Sequence, residues 1–184
     1  MLGLVTLPAL VSCQPSTPAP GAECHTERPD EGQVLVEPLL CSDPVPPGGE
    51  GRADADVYLA THDWRAILRH PQDALTVAGW GGGTLVDAAA WEGPDAVHEV
   101  IPLVGGGWLT EIEATLLADA VRLEGTDLAG ERRTVTWRPD PDGPWLVAEG
   151  ADALRIDPAG DAEVLGGLVL APPTVIGEIG RAHV

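Results

Sequence analysis

From residue 53 onward, apolar and polar residues alternate with a period of two, the spacing of a strand with one buried face. Asp63–His70, DWRAILRH, puts Trp64, Ala66 and Leu68 on one side and Arg65 and Arg69 on the other. Glu111–Leu117 sets Ile112, Ala114 and Leu116 against Glu111, Glu113 and Thr115. Ala120–Glu124 alternates Val121 and Leu123 with charge, and Arg133–Arg138 alternates Val135 and Trp137 with threonine and arginine. Trp145–Glu149, Leu154–Asp157 and Val164–Ala171 extend the series, as does Val100–Val104. Turn-rich joints separate them: His70–Asp73, Gly125–Asp127, Pro139–Pro144 and Asp157–Gly160. The pattern predicts an all-β domain, an antiparallel β-sandwich of about nine or ten short strands. The nearest thing to a helix is Asp87–Trp91, DAAAW, too short to stand alone. Leu116–Ala120 is compatible with a turn, but the alternation around it favours a strand.

Two triple-glycine runs, Gly81-Gly82-Gly83 and Gly105-Gly106-Gly107, lie beside the apolar strand-like segments Thr84-Leu85-Val86 and Val100–Val104. Glycine's freedom at positive φ makes both runs expected structural turns or bulges of the β layer. Upstream, Gln33–Leu40 reads as a strand that Pro38 confines to a sheet edge. Pro44–Gly51, PVPPGGEG, reads as linker, so the compact domain is expected to span 53–178, behind a Pro/Gly-rich tether over 13–52.

The amino terminus changes the picture. Met1–Ser12 is an apolar run too short for a bilayer, which takes about 20 residues. It ends in Leu10-Val11-Ser12-Cys13, which resembles a bacterial lipobox, and so reads as a lipoprotein-type signal with Cys13 as the lipidated residue. The run lacks the basic residue that normally opens such a signal. Cys24 and Cys41 remain as a pair, which an exported protein tends to oxidise. A metal site including His25 is the alternative, but the paired spacing of zinc sites is missing. At the other end Ile179–Val184, IGRAHV, matches the translation of a sequencing-library adapter and is set aside from the fold. The natural chain is then expected to continue past Glu178.

Charge excludes one class of partner. The formal net charge is -19, with 29 acidic residues against ten basic ones. Phosphate backbones are bound by cationic side chains, so nucleic acid is not an expected partner. Serine occurs only at positions 12, 16 and 42, outside the domain, and no cysteine follows Cys41. Serine and thiol catalysis within the domain are thereby removed. The glycine runs lack the Lys-Ser/Thr of a phosphate loop and the 1-3-6 spacing of a dinucleotide fingerprint. Asp140–Gly143, DPDG, fits a hairpin turn better than a calcium loop.

One cluster has the residue types of catalysis: Asp87, Asp95, His98 and Glu99. A histidine among carboxylates is suited to proton transfer or metal ligation, yet the spacing fits neither H-E-x-x-H nor an H-x-H pair. Asp87 before three alanines is sufficiently explained as the cap of a helical turn. If the cluster works, Trp80, Trp91 and Trp108 offer a stacking platform for a sugar. No cofactor and no metal is expected.

Val57–Trp108 carries a resemblance. VYLATHDWRAILRHP, then GGGTLVDA, then Gly93, Asp95, Glu99, Pro102 and Leu103 in the pattern G-x-D-x-x-x-E-x-x-P-L resemble an amino-terminal module of large exported proteins from myxobacteria and relatives. Some of those proteins also carry a PHP-type metallohydrolase domain similar to carbaryl hydrolases. Thr84 stands where the family often has Asn, and His62-Asp63 where it has Asn-Asp. The histidine-rich metal motifs of the hydrolase domain are absent from this chain. The resemblance implies an accessory β module of a longer protein, with a further domain downstream. Together with the lipobox it makes the expectation a non-catalytic accessory or binding module of an exported, lipid-anchored envelope protein, on the outer membrane. The competing expectation is a carbohydrate-active or metal-dependent hydrolase built on the Asp87/Asp95/His98/Glu99 cluster.

Overall fold

The computed structural model describes Cys24, residues 27–53, 55–71, 83–141 and 146–158, and two short strands beyond them. Among the described residues every regular element is a strand. In chain order these are β1 (Leu35–Pro38), β2 (Val57–Ala60), β3 (Trp64–Leu68), β4 (Leu85–Ala90), β5 (Val97–Leu103) and β6 (Thr110–Leu116). They continue with β7 (Val121–Thr126), β8 (Arg132–Pro139), β9 (Leu146–Glu149), β10 (Ala153–Pro158), β11 (Leu168–Leu170) and β12 (Val175–Ile176). The first ten match the expected number; β11 and β12 are strands of two or three residues added at sheet edges.

Two antiparallel sheets result, ordered β1-β2-β3-β4-β5-β10-β11 and β12-β9-β8-β7-β6. The chain meanders through the first five strands, crosses to the second sheet for β6 to β9, and returns as β10 beside β5. The outward crossing begins at a tight turn in which Val104 and Gly107 bridge each other and Gly105 and Gly106 take φ of 62° and 83°. Two consecutive positive φ values are what a two-residue primed turn requires, and glycine adopts them without a Cβ penalty. At the far edge β1 ends in Pro38, which has no N–H to offer another strand.

Between the sheets lies the main core. Leu59, Trp64, Ala66, Leu68, Leu85 and Val100 of the first sheet meet Val121, Leu123, Val135, Trp137 and Leu146 of the second. The alternation read from the sequence thus places Trp64, Ala66, Leu68, Val121, Leu123, Val135 and Trp137 on the buried side. Burying an aromatic or aliphatic side chain of this kind contributes about 1.5–3 kcal/mol. Trp137 satisfies its one donor by giving Nε1–H to the carbonyl of Gly83 at 3.1 Å.

The seven-stranded sheet is buried on its outer face too, and this departs from simple alternation. Leu39, Tyr58, Ala60, Ile67 and Val86 form a second apolar cluster there, with Leu35, Val45 and Trp91 against it. Its cover is the segment after β1. Leu39 N–H donates to the Asp56 carbonyl at 2.8 Å, and Pro44 and Pro46 are buried. The edge strand expected within Gln33–Leu40 is β1, whereas Pro44–Gly51, read from composition as linker, supplies a strap over the sheet. Prolines and glycines suit a strap as well as a linker, because neither needs a strand partner.

Three local expectations are corrected. Asp87–Ala90 continues β4 instead of forming a helical turn, because pairing with β3 and burial on both faces outweigh alanine's helix propensity. Leu117–Ala120 is a turn, closed by Leu117 N–H on the Ala120 carbonyl, so Leu116 is left 39% exposed. Gly125 and Thr126 belong to β7, and the following turn runs over Asp127–Glu131, with Asp127 Oδ1 accepting the amides of Ala129 and Glu131 at 2.9 Å.

Candidate functional site

Asp87 is the residue that the local structure treats most unusually. The β3–β4 register pairs Ile67 with Asp87 and Leu68 with Leu85, so Val86 is an extra residue at a bulge. A bulge re-aims the side chains around it. Leu85 keeps its place in the inter-sheet core, while Val86 and Asp87 both turn outward, under the strap. There the Asp87 carboxylate is fully buried and accepts Glu50 N–H at 2.6 Å and Gly51 N–H at 2.7 Å.

Glycine makes that approach feasible. A Cβ at residue 49 would sit 2.8 Å from Asp87 Cγ, and one at residue 51 would sit 2.9 Å from Oδ2. Burial pushes the Asp87 carboxyl up to about 6, against the two amides, which favour the ionised form; neighbouring Asp95 adds to the rise. Arg69, 2% exposed, holds the same strap by donating Nη2–H to the Glu50 carbonyl at 3.2 Å. Its Nη1 pairs with buried Asp56 at 3.1 Å, and Asp56 also accepts the amides of Arg52 and His70.

Asp95 extends the clamp. Its Oδ1 accepts the amides of Ala88 at 2.9 Å and Val97 at 3.3 Å, and its own N–H donates to the Pro47 carbonyl. Burial raises its pKa, opposed by those amides and by His98. Glu99 is buried and accepts the Thr84 hydroxyl at 3.2 Å. His98 alone of the four is exposed. Asp87 and Asp95 thus serve one strap, Glu99 is engaged at Thr84, and His98 faces solvent.

The aromatic residues are also apart. Trp80 lies outside the described residues. Trp91 caps the outer cluster, donating Nε1–H to the Thr61 carbonyl at 2.9 Å, with the Arg65 guanidinium 5.6 Å from its ring centroid. Trp108 instead lines a small apolar cavity with Ile101, Leu109, Ile112 and Leu123.

Of the glycines, Gly81 and Gly82 fall outside the described residues. Gly83 has φ of 84° and a Cβ there would lie 2.9 Å from Leu123 Cδ1. Gly105 donates its amide to Asp152 Oδ2 at 2.7 Å, and Gly107 packs under Leu128 of the β7–β8 turn. Cys24 and Cys41 are joined in a disulfide, with Cα atoms 5.9 Å apart. Cys13 and His25 lie outside the described residues.

Sequence reasoning missed Gly49, Gly51, Asp56 and Arg69. The available signal was an arginine closing an apolar run and three glycines within four residues of a proline pair. The fold is an all-β sandwich in which Asp87 and Asp95 are engaged in holding backbone. Comparison with family models, curated proteins and solved structures finds no match.

Proposed function

We propose that the chain is a non-catalytic accessory or binding β-sandwich module of an exported envelope lipoprotein, anchored through Cys13 and followed by further domains of a longer chain. The observation that carries the reading is the Asp87 carboxylate, sealed beneath residues 50 and 51 and committed to their two amides. A general acid or base must reach a substrate proton, and a carboxylate enclosed by main chain reaches none. The Cys24–Cys41 disulfide supports export, since such bonds persist in oxidising compartments. The acidic surface supports solubility beside a membrane anchor and disfavours nucleic acid.

Expression in a bacterial host with a basic start restored tests the reading. The protein is expected in the detergent phase, with its new amino-terminal Cys13 acylated, and Cys13→Ala is expected to lose both properties. A cleaved, soluble and unacylated product from the unsubstituted chain overturns the anchored reading.

A further inference from the structure

The disulfide has a carboxylate beside it. The Sγ atoms of Cys24 and Cys41 and a carboxylate oxygen of Asp43 all lie within 4.8 Å of one another. Asp43 is exposed and both cysteines are half-buried, so reductant and solvent have access. Two thiolates and a carboxylate around one point form a donor set for a tetrahedral thiophilic cation, with zinc–sulfur bonds of about 2.3 Å and zinc–oxygen bonds of about 2.0–2.2 Å.

Both cysteine-bearing segments have ties to the sandwich that do not involve the disulfide. On one side Leu39 is fully buried with its amide on Asp56, and Val45 N–H closes a turn on the Ser42 carbonyl, fixing the backbone around Cys41 and Asp43. On the other, Arg28 Nε donates to the His62 carbonyl, and His62 Nδ1 lies 3.2 Å from the Pro29 carbonyl. Cleaving the sulfur–sulfur bond leaves these ties in place, so both segments remain tethered to the sandwich.

We propose that Cys24, Cys41 and Asp43 form a redox-gated site for a thiophilic divalent cation such as Zn²⁺, with disulfide and metal as alternative occupants of the same residues. A dithiol reductant delivers two electrons and two protons to the Cys24–Cys41 bond and is itself oxidised to a disulfide. Metal entry then displaces both thiol protons, forms two metal–sulfur bonds and one bond to the Asp43 carboxylate, and leaves the fourth position to water. The formal charge of the loaded site is −1, consistent with a cation entering an acidic protein.

The test titrates Co²⁺, then Zn²⁺ in competition, into the full chain before and after reduction with a phosphine, which is not itself a thiol. Reduced protein is expected to bind one cation with the ultraviolet sulfur-to-cobalt band, about 100-fold or more tighter than oxidised protein. Cys24→Ser and Cys41→Ser should each abolish the band, Asp43→Asn should weaken binding about tenfold, and Cys13→Ala should change nothing. Equal binding by oxidised and reduced chains overturns the proposal, as does binding lost with Cys13→Ala or unchanged in Asp43→Asn. Circular dichroism accompanies each titration; a reduced chain that unfolds also overturns it, because the site depends on both segments holding without the disulfide.

Discussion

Asp87 Oδ2 lies 2.7 Å from the backbone nitrogen of Gly51, across a separation of 36 residues. That contact, with its twin at Glu50, fastens the strap to the seven-stranded sheet and covers the outer apolar cluster. A buried carboxylate that has lost water must recover hydrogen bonds from the protein, and main-chain amides on a glycine-rich strap supply them.

The first prediction follows from the charge of that carboxyl. Its pKa rises from 3.8 to about 6 on folding, so between these values the folded state binds a proton that the unfolded state releases. The stability contributed by Asp87 is then fully present below pH 3.8 and lost as pH rises through about 6. Asp87→Asn keeps the shape and removes the titration. Its urea midpoint should change less between pH 4 and pH 7 than that of the unsubstituted chain, by the equivalent of about 2–3 kcal/mol. Identical pH profiles would show that the carboxyl is not raised.

The second prediction concerns the strap's glycines. Gly49→Ala pushes a methyl to 2.8 Å from Asp87 Cγ, and should destabilise the domain by about 1–3 kcal/mol. Gly93→Ala meets nothing closer than 3.4 Å and should stay within about 0.5 kcal/mol. Were residues 44–51 a free linker, the two substitutions would give equal melting temperatures. In a background of Asp87→Ala the Gly49→Ala cost should shrink, because the atom that it strikes is gone.

Much of the sandwich is legible in the sequence, because a period of two is written wherever one strand face is wet. Ile112, Val121, Leu123, Val135 and Trp137 are cases, all from the second sheet or its rim. Legibility falls in the first sheet, where β2 and β4 are buried on both sides and the pattern collapses into apolar runs. The bulge at Val86 hides the facing of Asp87 altogether, since a one-residue insertion moves a side chain to the other face. The strap was missed because its partner carboxylate is distant in sequence, and composition records only that proline and glycine are abundant. The acidic cluster was visible as residues; the use of Asp87 and Asp95 as a backbone clamp was not.

A third prediction rests on Glu111, which holds φ of 51° at a bulge where Thr110 pairs with Thr126 and Glu113 with Glu124. A non-glycine residue in that region costs about 1 kcal/mol or more. Glu111→Gly should therefore be neutral or stabilising by up to about 1 kcal/mol in urea titration, although glycine ordinarily weakens a strand. Gly125, opposite, should behave in the reverse sense: an added Cβ meets the Thr110 carbonyl oxygen at 2.9 Å and Leu109 Cβ at 3.0 Å. A Gly125→Ala variant as stable as the parent would contradict this packing.

The last prediction ranks two substitutions that separate a structural module from a catalytic one. Gly83 has φ of 84°, offers its carbonyl to Trp137 Nε1, and leaves no room for a Cβ beside Leu123. Gly83→Val combines backbone strain with overpacking and should destabilise the domain by about 2–4 kcal/mol. His98 is exposed on β5, and His98→Ala should stay within about 0.5 kcal/mol. Both variants are assayed for thermal stability and, in a full-length chain, for binding or turnover of sugars and metals. In a non-catalytic module any loss of binding follows the loss of fold, so Gly83→Val is impaired and His98→Ala is not. A His98→Ala protein that melts normally but has lost ligand binding or turnover would reverse that order, and the hydrolase reading would replace the one proposed, because an exposed side chain without a structural role can lose function only by having one.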